Sequence, residues 1–302
     1  MGKTVAQTIN ELCKYHLEEN NGLLFGQCLQ AVGWVGGTVP QANKGLVELN
    51  TAEVSNTGVV VGAALMGRRP IYVIRYQGFM WLAANTLVNY AAKSKDVWDI
   101  PCPMFVRSIS MEGNGIGPTA SPSHHSLIMR MPGVPICVPM TPNEWTQCWK
   151  WFLDHDDPVY CSEHRRSFAV DYEMSDIISP NAEVTILAIS AARLNSLEAI
   201  KRLASEGIIC NLIHIVWIKP FVVTEYMKST LNNTKFSVVI DSDFEICGAS
   251  RSLAYDVMHN SNNKCFALGV EDRTGGMAPE LENITPNADK IYNFIKRCWE
   301  NR

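Results

Sequence analysis

Unbroken apolar strand segments alternating with helical ones restrict the fold of this chain more than any other feature. VTILAIS (184–190), IICNLIHIVWI (208–218), KFSVVIDSD (235–243) and KCFALGV (264–270) are apolar on consecutive positions, with helices between them. One such helix is SLEAIKRLASEG (196–207), amphipathic and closed by glycine. A strand without polar alternation is buried on both faces, which requires a mostly parallel sheet with helices on each side. The first half repeats the pattern, with strands at Leu23 to Phe25, Ile71 to Tyr76, Met104 to Ser108, Pro135 to Val138 and Val159 to Cys161. Its helices are expected at about 3–19, 79–94 and 125–131, with a further one opened by Thr141-Pro142. Between the halves, DYEMSDIISPNAE (171–183) is polar and aperiodic. The expected fold is therefore α/β, in two domains of ordinary size: residues 1–172, a linker at 173–183, and residues 184–302.

Composition narrows the classes of partner. The chain is 47% hydrophobic with a formal net charge of -4, a balance that offers nothing to nucleic acid or an anionic membrane surface. Its best apolar run, Val59 to Met66, falls far short of the ~20 residues of a membrane span. The start, MGKTVAQTINELC, lacks the apolar core of a secretory signal, and Ala6 stands where a myristoylation pattern needs Ser or Thr. Ten cysteines are scattered without a C-x-x-C pair, several in apolar strands such as VPICVP around Cys137 and PVYCSE around Cys161. That usage fits reduced, buried thiols and a cytoplasmic protein.

The chemistry concentrates in LNTAEVSNTGVVVGAALMGRRPIYVIRYQGF, residues 49–79. Glu53 opens a helix rich in Gly, Ala and Val, and Phe79 follows Gly78 after the next strand. A carboxylate at the head of an apolar helix is costly to bury without a partner. It either serves the helix start, with Thr51 as N-cap, or meets a ligand. Phe79 alone is more often a core aromatic opening the next helix than a stacking platform, and Gly78 permits a close backbone approach. The loop SMEGNGIGPTASPSHHS ends in His124 and His125, which cannot both point the same way. Its GNGIG lacks the G-x-G-x-x-G spacing of a dinucleotide fingerprint. DHDDPVYCSEH (154–164) could in principle hold a metal, but Pro158 and the strand after it make a solvated turn the simpler reading.

Taken together, Glu53, Phe79 and the segments between them resemble the pyrimidine-binding domain of thiamine diphosphate enzymes. The likeness is to beta subunits of 2-oxo acid dehydrogenases of the pyruvate dehydrogenase type, and more distantly to transketolases. It extends through FGQCLQAVGWVGG, where Gln27 replaces an acid, through MPGVPICVPMTPNEW, and through the carboxyl-terminal domain to Pro220; SLIMRMPG looks closer to transketolases. The resemblance implies that Glu53 contacts the aminopyrimidine of thiamine diphosphate and favours its imino tautomer, while Phe79 stacks on the ring. Gln27 and Thr51 would line the pyrimidine pocket, and His125 would exchange protons with the substrate. The potassium ion reported near the Asp-Pro turn of some relatives is not carried over to Asp157, because His155 departs from their pattern.

No Gly-Asp-Gly, the start of the family's diphosphate- and magnesium-binding motif, occurs in the chain. The resemblance thus implies a second, alpha-type subunit that holds the diphosphate and Mg2+, in an α2β2 assembly with the cofactor between unlike chains. The apolar face of the Glu53 helix would then meet a symmetry mate. The function expected is a beta-type subunit that decarboxylates a small 2-oxo acid and passes on the acyl or hydroxyalkyl unit. Its rivals are the carboxyl-terminal half of a split transketolase, moving ketol units between sugars, and a non-catalytic assembly subunit of the same fold.

Overall fold

The computed structural model describes residues 2–30, 35–42, 44–113, 115–120 and 122–301; Gly33 of the FGQCLQAVGWVGG segment and Asn114 of GNGIG lie outside them. The chain runs α1 (Val5–Glu19), β1 (Leu23–Gly26), β2 (Leu46–Glu48), α2 (Glu53–Leu65), β3 (Pro70–Ile74), α3 (Met80–Asn89), α4 (Ser94–Trp98), β4 (Phe105–Ser110), α5 (His125–Met129), β5 (Ile136–Cys137), α6 (Pro142–Asp154) and β6 (Val159–His164). It continues with β7 (Val184–Ile189), α7 (Ala192–Ser205), β8 (Cys210–Ile215), β9 (Trp217–Lys219), α8 (Glu225–Asn232), β10 (Phe236–Phe244), α9 (Ala249–Asn260), β11 (Cys265–Val270) and α10 (Ala288–Glu300). The strands form a seven-stranded sheet, β2-β1-β3-β4-β6-β5-β9, and a four-stranded sheet, β11-β10-β7-β8. All pairings are parallel except β5 with β9.

Local chemistry sets the helix starts. Thr4 and Thr141 each accept the backbone N–H three residues on, and Gln7 and Glu144 return the bond to complete capping boxes. Helix α6 also carries Pro142 at its first position.

Two expectations need correction, and one strand was not anticipated. The segment 208–218 is not one strand: the chain leaves the small sheet after Ile215, and Trp217–Lys219 crosses to the edge of the large one. The Val216 carbonyl takes the Val138 N–H at 2.7 Å, so the two-residue strand β5 gains a cover that its shortness had denied it. Nor is 79–94 one helix. The backbone breaks at Tyr90, and buried Ala91 and Ala92 turn inward against Gly133, where a Cβ would come within 2.2 Å of the Ala92 carbonyl. Finally, β2 is a short strand that its lack of apolar continuity concealed.

Side chains of both sheets share one core, with Val60, Tyr72 and Val106 on one side and Leu187, Val239 and Leu253 on the other. A second core under α1 and α6 is packed with Trp145, Trp149, Phe105 and Phe152, and a third lies between the small sheet, α7 and α10. Polar bonds reinforce the junction. Arg193 of α7 donates to Glu144 of α6 at 2.6 and 2.8 Å, and Glu112 after β4 accepts from the Thr285 N–H and hydroxyl at 2.8 and 2.7 Å. Among the described residues, no helix is long and apolar enough to cross a membrane.

Candidate active site

Strand β1 ends at Gly26, where a Cβ would press on Leu29 and the Val73 carbonyl, and Gln27 follows directly. The Gln27 amide donates to Glu53 Oε1 at 3.1 Å. Glu53 is the first residue of α2 and only 8% exposed. It is not the helix cap. The N-cap is Ala52, which makes no side-chain capping bond, and Asn56 and Thr57 instead donate to the carbonyls of Asn50 and Glu53, both at 2.7 Å. Thr51 is therefore not the N-cap, and it is exposed outside the cleft formed by Gln27, Glu53, Tyr72, Val73, Ile74, Arg75 and Phe79. Phe79 is half-buried in that cleft and meets Tyr76 edge-on at 5.7 Å. A carboxylate near the positive end of a helix, with one oxygen occupied and an aromatic ring on the same cleft, has the groups to meet a flat heteroaromatic ring that offers a hydrogen-bond donor, but the cleft is only about 10 Å³ and must widen to admit one.

Gly78 has a different task from the one its position suggested. Its missing Cβ leaves room for the Thr119 carbonyl, which would otherwise lie 2.3 Å away, so the loop rather than a ligand makes the close approach. The same Cβ position is 4.0 Å from His124 Nε2, which brings that ring beside the Gly78-Phe79 step. His124 stacks on Phe244 at 6.0 Å and meets the Trp81 edge at 6.1 Å. Burial lowers its pKa against the opposing pull of Asp243, so the ring is neutral near pH 7 and able to accept a proton. It opens onto a cleft of about 370 Å³ between the loop after β4 and the loop after β11, with Pro122, Phe244, Arg273 and Asn283 among its walls.

His125 points the other way. It is fully buried, with Nδ1 3.0 Å from Ser162 Oγ and Nε2 2.9 Å from Asp241 Oδ2, and neither nitrogen is left to reach a substrate. Burial opposes its charge, but the Asp241 carboxylate and hydrogen bond, with Asp243 at 3.9 Å, outweigh burial and raise the pKa to about 9. The expected substrate contact by His125 is thus corrected: of the adjacent pair, His124 faces the cleft. Next to it, Ser126 donates its N–H to Asp243 at 2.8 Å and accepts from Ala249 N–H at 2.9 Å, seating α5 on the carboxyl end of β10.

Sequence reasoning missed Gln77, Ser162, Asp241 and Asp243. The signal available was polar residues inside otherwise apolar strands, YCSEH in β6 and IDSDF in β10. The acidic turn at 154–157 resolves into ion pairs, Asp156 with Arg69 at 2.8 Å and Asp157 with Lys95 at 3.8 Å. No group of three or more His, Cys, Asp or Glu suited to a metal occurs among the described residues.

Comparison with known proteins places two family models end to end on the chain. Residues 31–170 match the pyrimidine binding domain of transketolase and residues 174–291 its C-terminal domain. The beta subunit of the mitochondrial pyruvate dehydrogenase E1 component of Ascaris suum is 25% identical over 274 residues, covering 82% of this chain and 74% of that protein. The 2-oxoisovalerate dehydrogenase subunit beta of Bacillus subtilis (strain 168) is 28% identical over 187 residues, 56% of each. Among solved structures, an inactive beta4 tetramer of a split-gene transketolase superposes with a TM-score of 0.74 at 17% identity, covering 98% of both chains.

Proposed function

Because the chain belongs to the transketolase family through both of its domains, we propose that it is the beta-type subunit of a heteromeric thiamine diphosphate enzyme. The proposed enzyme decarboxylates a 2-oxo acid and passes the acyl or hydroxyalkyl unit to an acceptor. The observation that carries this reading is the pairing of buried Glu53 with Phe79 in one narrow cleft, Glu53 Oε1 already engaged by Gln27. The donor set fits the ring half of the cofactor: a carboxylate oxygen for a ring nitrogen and an aromatic face for stacking. When bound, thiamine diphosphate supplies a nucleophilic carbon that adds to carbonyl groups and an electron sink for decarboxylation.

In this reading Glu53 holds the pyrimidine proton, Gln27 fixes the carboxylate and Phe79 fixes the plane of the ring. His124, in place of His125, trades protons with the substrate oxygen. Thr51 is left at the rim, without a pocket contact. The diphosphate and Mg2+ fall to the alpha-type partner in an α2β2 assembly. The outer side of α2 supports a contact with a second copy of the chain. Val54, Val59 and Met66 are 51%, 53% and 83% exposed there, and Gly58 and Gly62 have open space where a side chain would stand. Ten free cysteines, most of them buried, suit a reducing compartment such as the cytoplasm.

The test is to assemble the chain with its alpha-type partner and titrate thiamine diphosphate by calorimetry, using wild type and Glu53→Ala. The variant should bind at least ~30-fold more weakly, the equivalent of about 2 kcal/mol. Equal affinity would end the proposal. Turnover of 2-oxo acids with a redox dye, against ketose and aldose phosphates, separates 2-oxo acid chemistry from ketol transfer.

A further inference from the structure

Buried side chains join the C-terminal domain to His124 without a gap. Asp241 at the end of β10 holds His125 Nε2 at 2.9 Å, and His125 Nδ1 lies 3.0 Å from Ser162 Oγ of β6. That hydroxyl accepts from Gln77 Nε2 at 2.8 Å, and Gln77 Oε1 accepts the backbone N–H of His124 at 2.7 Å. Asp241, His125, Ser162 and Gln77 are all essentially inaccessible to water. The amide of Gln77 can sit only one way round. Its nitrogen also donates to the carbonyls of Ser108 at 3.1 Å and Glu163 at 3.3 Å, so a flip would turn oxygen onto oxygen there and N–H onto N–H at His124. Gln77 therefore offers one oriented acceptor to one backbone position, immediately before Gly78-Phe79.

We propose that the C-terminal domain fixes the position of His124 through this relay, with Gln77 and Ser162 as positioning residues. The inference rests on the reading of His124 as the substrate-facing histidine, and it assigns the second domain a part in the reaction beyond covering the sheet. The relay works because each member is fixed by more than one bond and is buried where water cannot substitute for a lost partner. A displacement of about 1 Å in a proton-transferring group is enough to slow a reaction severely.

Three variants test it. Gln77→Met removes the acceptor, Ser162→Ala cuts the middle of the relay, and Asp241→Asn keeps a hydrogen-bonding group while removing the charge. Hydrogen exchange at the His124 amide of the full chain should quicken about tenfold or more in the first two and less in the third. Ser162→Thr, which restores a hydroxyl, should return it towards wild type. In the complex with the alpha-type partner, Ser162→Ala should lower kcat for the 2-oxo acid about tenfold and shift the pH–rate profile, with thiamine diphosphate affinity retained. Exchange at His124 that stays at the wild-type rate in Gln77→Met and Ser162→Ala overturns the relay. Faster exchange with kcat and pH profile unmoved overturns it equally. A wild-type complex that turns over no 2-oxo acid sinks the proposed function instead, and the exchange rates then decide the relay by themselves.

Discussion

Neighbouring side chains with identical chemistry have opposite fates at positions 124 and 125. Burial, helped by the neighbouring His125 charge, lowers the His124 pKa, whereas two aspartates of β10 keep His125 charged. The second case carries a pH signature. A histidine whose pKa is raised from 6.5 to about 9 in the folded state contributes stability that is complete below pH 6.5 and lost as pH rises through about 9. Denaturant midpoints should thus fall between pH 6.5 and 9.5 by the equivalent of roughly 2–3 kcal/mol, and Asp241→Asn should flatten that slope. An unchanged slope in the variant would assign the effect to another group. Arg107 and Glu163 make a second buried pair, at 2.7 and 3.0 Å, with the guanidinium also donating to Thr38 at 2.8 Å and to Cys13 Sγ at 3.8 Å. Removing one side, as in Arg107→Met, leaves a buried carboxylate alone and should cost about 3–5 kcal/mol in an unfolding titration. At this scale the sequence singled out Glu53 and Phe79 through the family resemblance rather than through either residue alone, and the structure sets both on one cleft. Gln77 and Ser162 were not singled out, because a polar residue in the turn after β3 or inside β6 gives no sign of whom it faces.

Elements show the same division. Helix α6 announces itself through Thr141, Pro142 and Glu144, all local, and its start is where those residues put it. The break at Tyr90 depends on Gly133, some forty positions away along the chain. The departure of β9 depends on the uncovered edge of β5, and neither dependence is written in local periodicity. Helix α2 is the element whose sequence says most about its surroundings. It is apolar on both sides, although one side faces outward beside exposed Trp81 and Leu82 of α3. Val59→Glu should leave the fold intact, since Val59 is half exposed, and abolish self-association measured by sedimentation. Association at wild-type strength would place the interface elsewhere.

On the scale of the whole molecule, the domain boundary in sequence is not a boundary in space. The polar stretch 171–183 does separate strands of the two sheets, yet β9 returns to the first sheet and one apolar core spans both. A chain ended at residue 183 would lack β9 and leave the β5 edge bare. It should aggregate or fold with a clearly lowered melting temperature, which light scattering and calorimetry would register. A co-expressed 184–302 fragment that restores solubility would locate the defect in that missing edge.

The crossing of Trp217–Lys219 also bears on how such a protein can be rearranged over time. Genetic recombination that exchanges the two halves between related subunits would have to carry a three-residue graft with the incoming half and match it to a foreign border. The halves are thereby obliged to diverge together, as a single heritable unit.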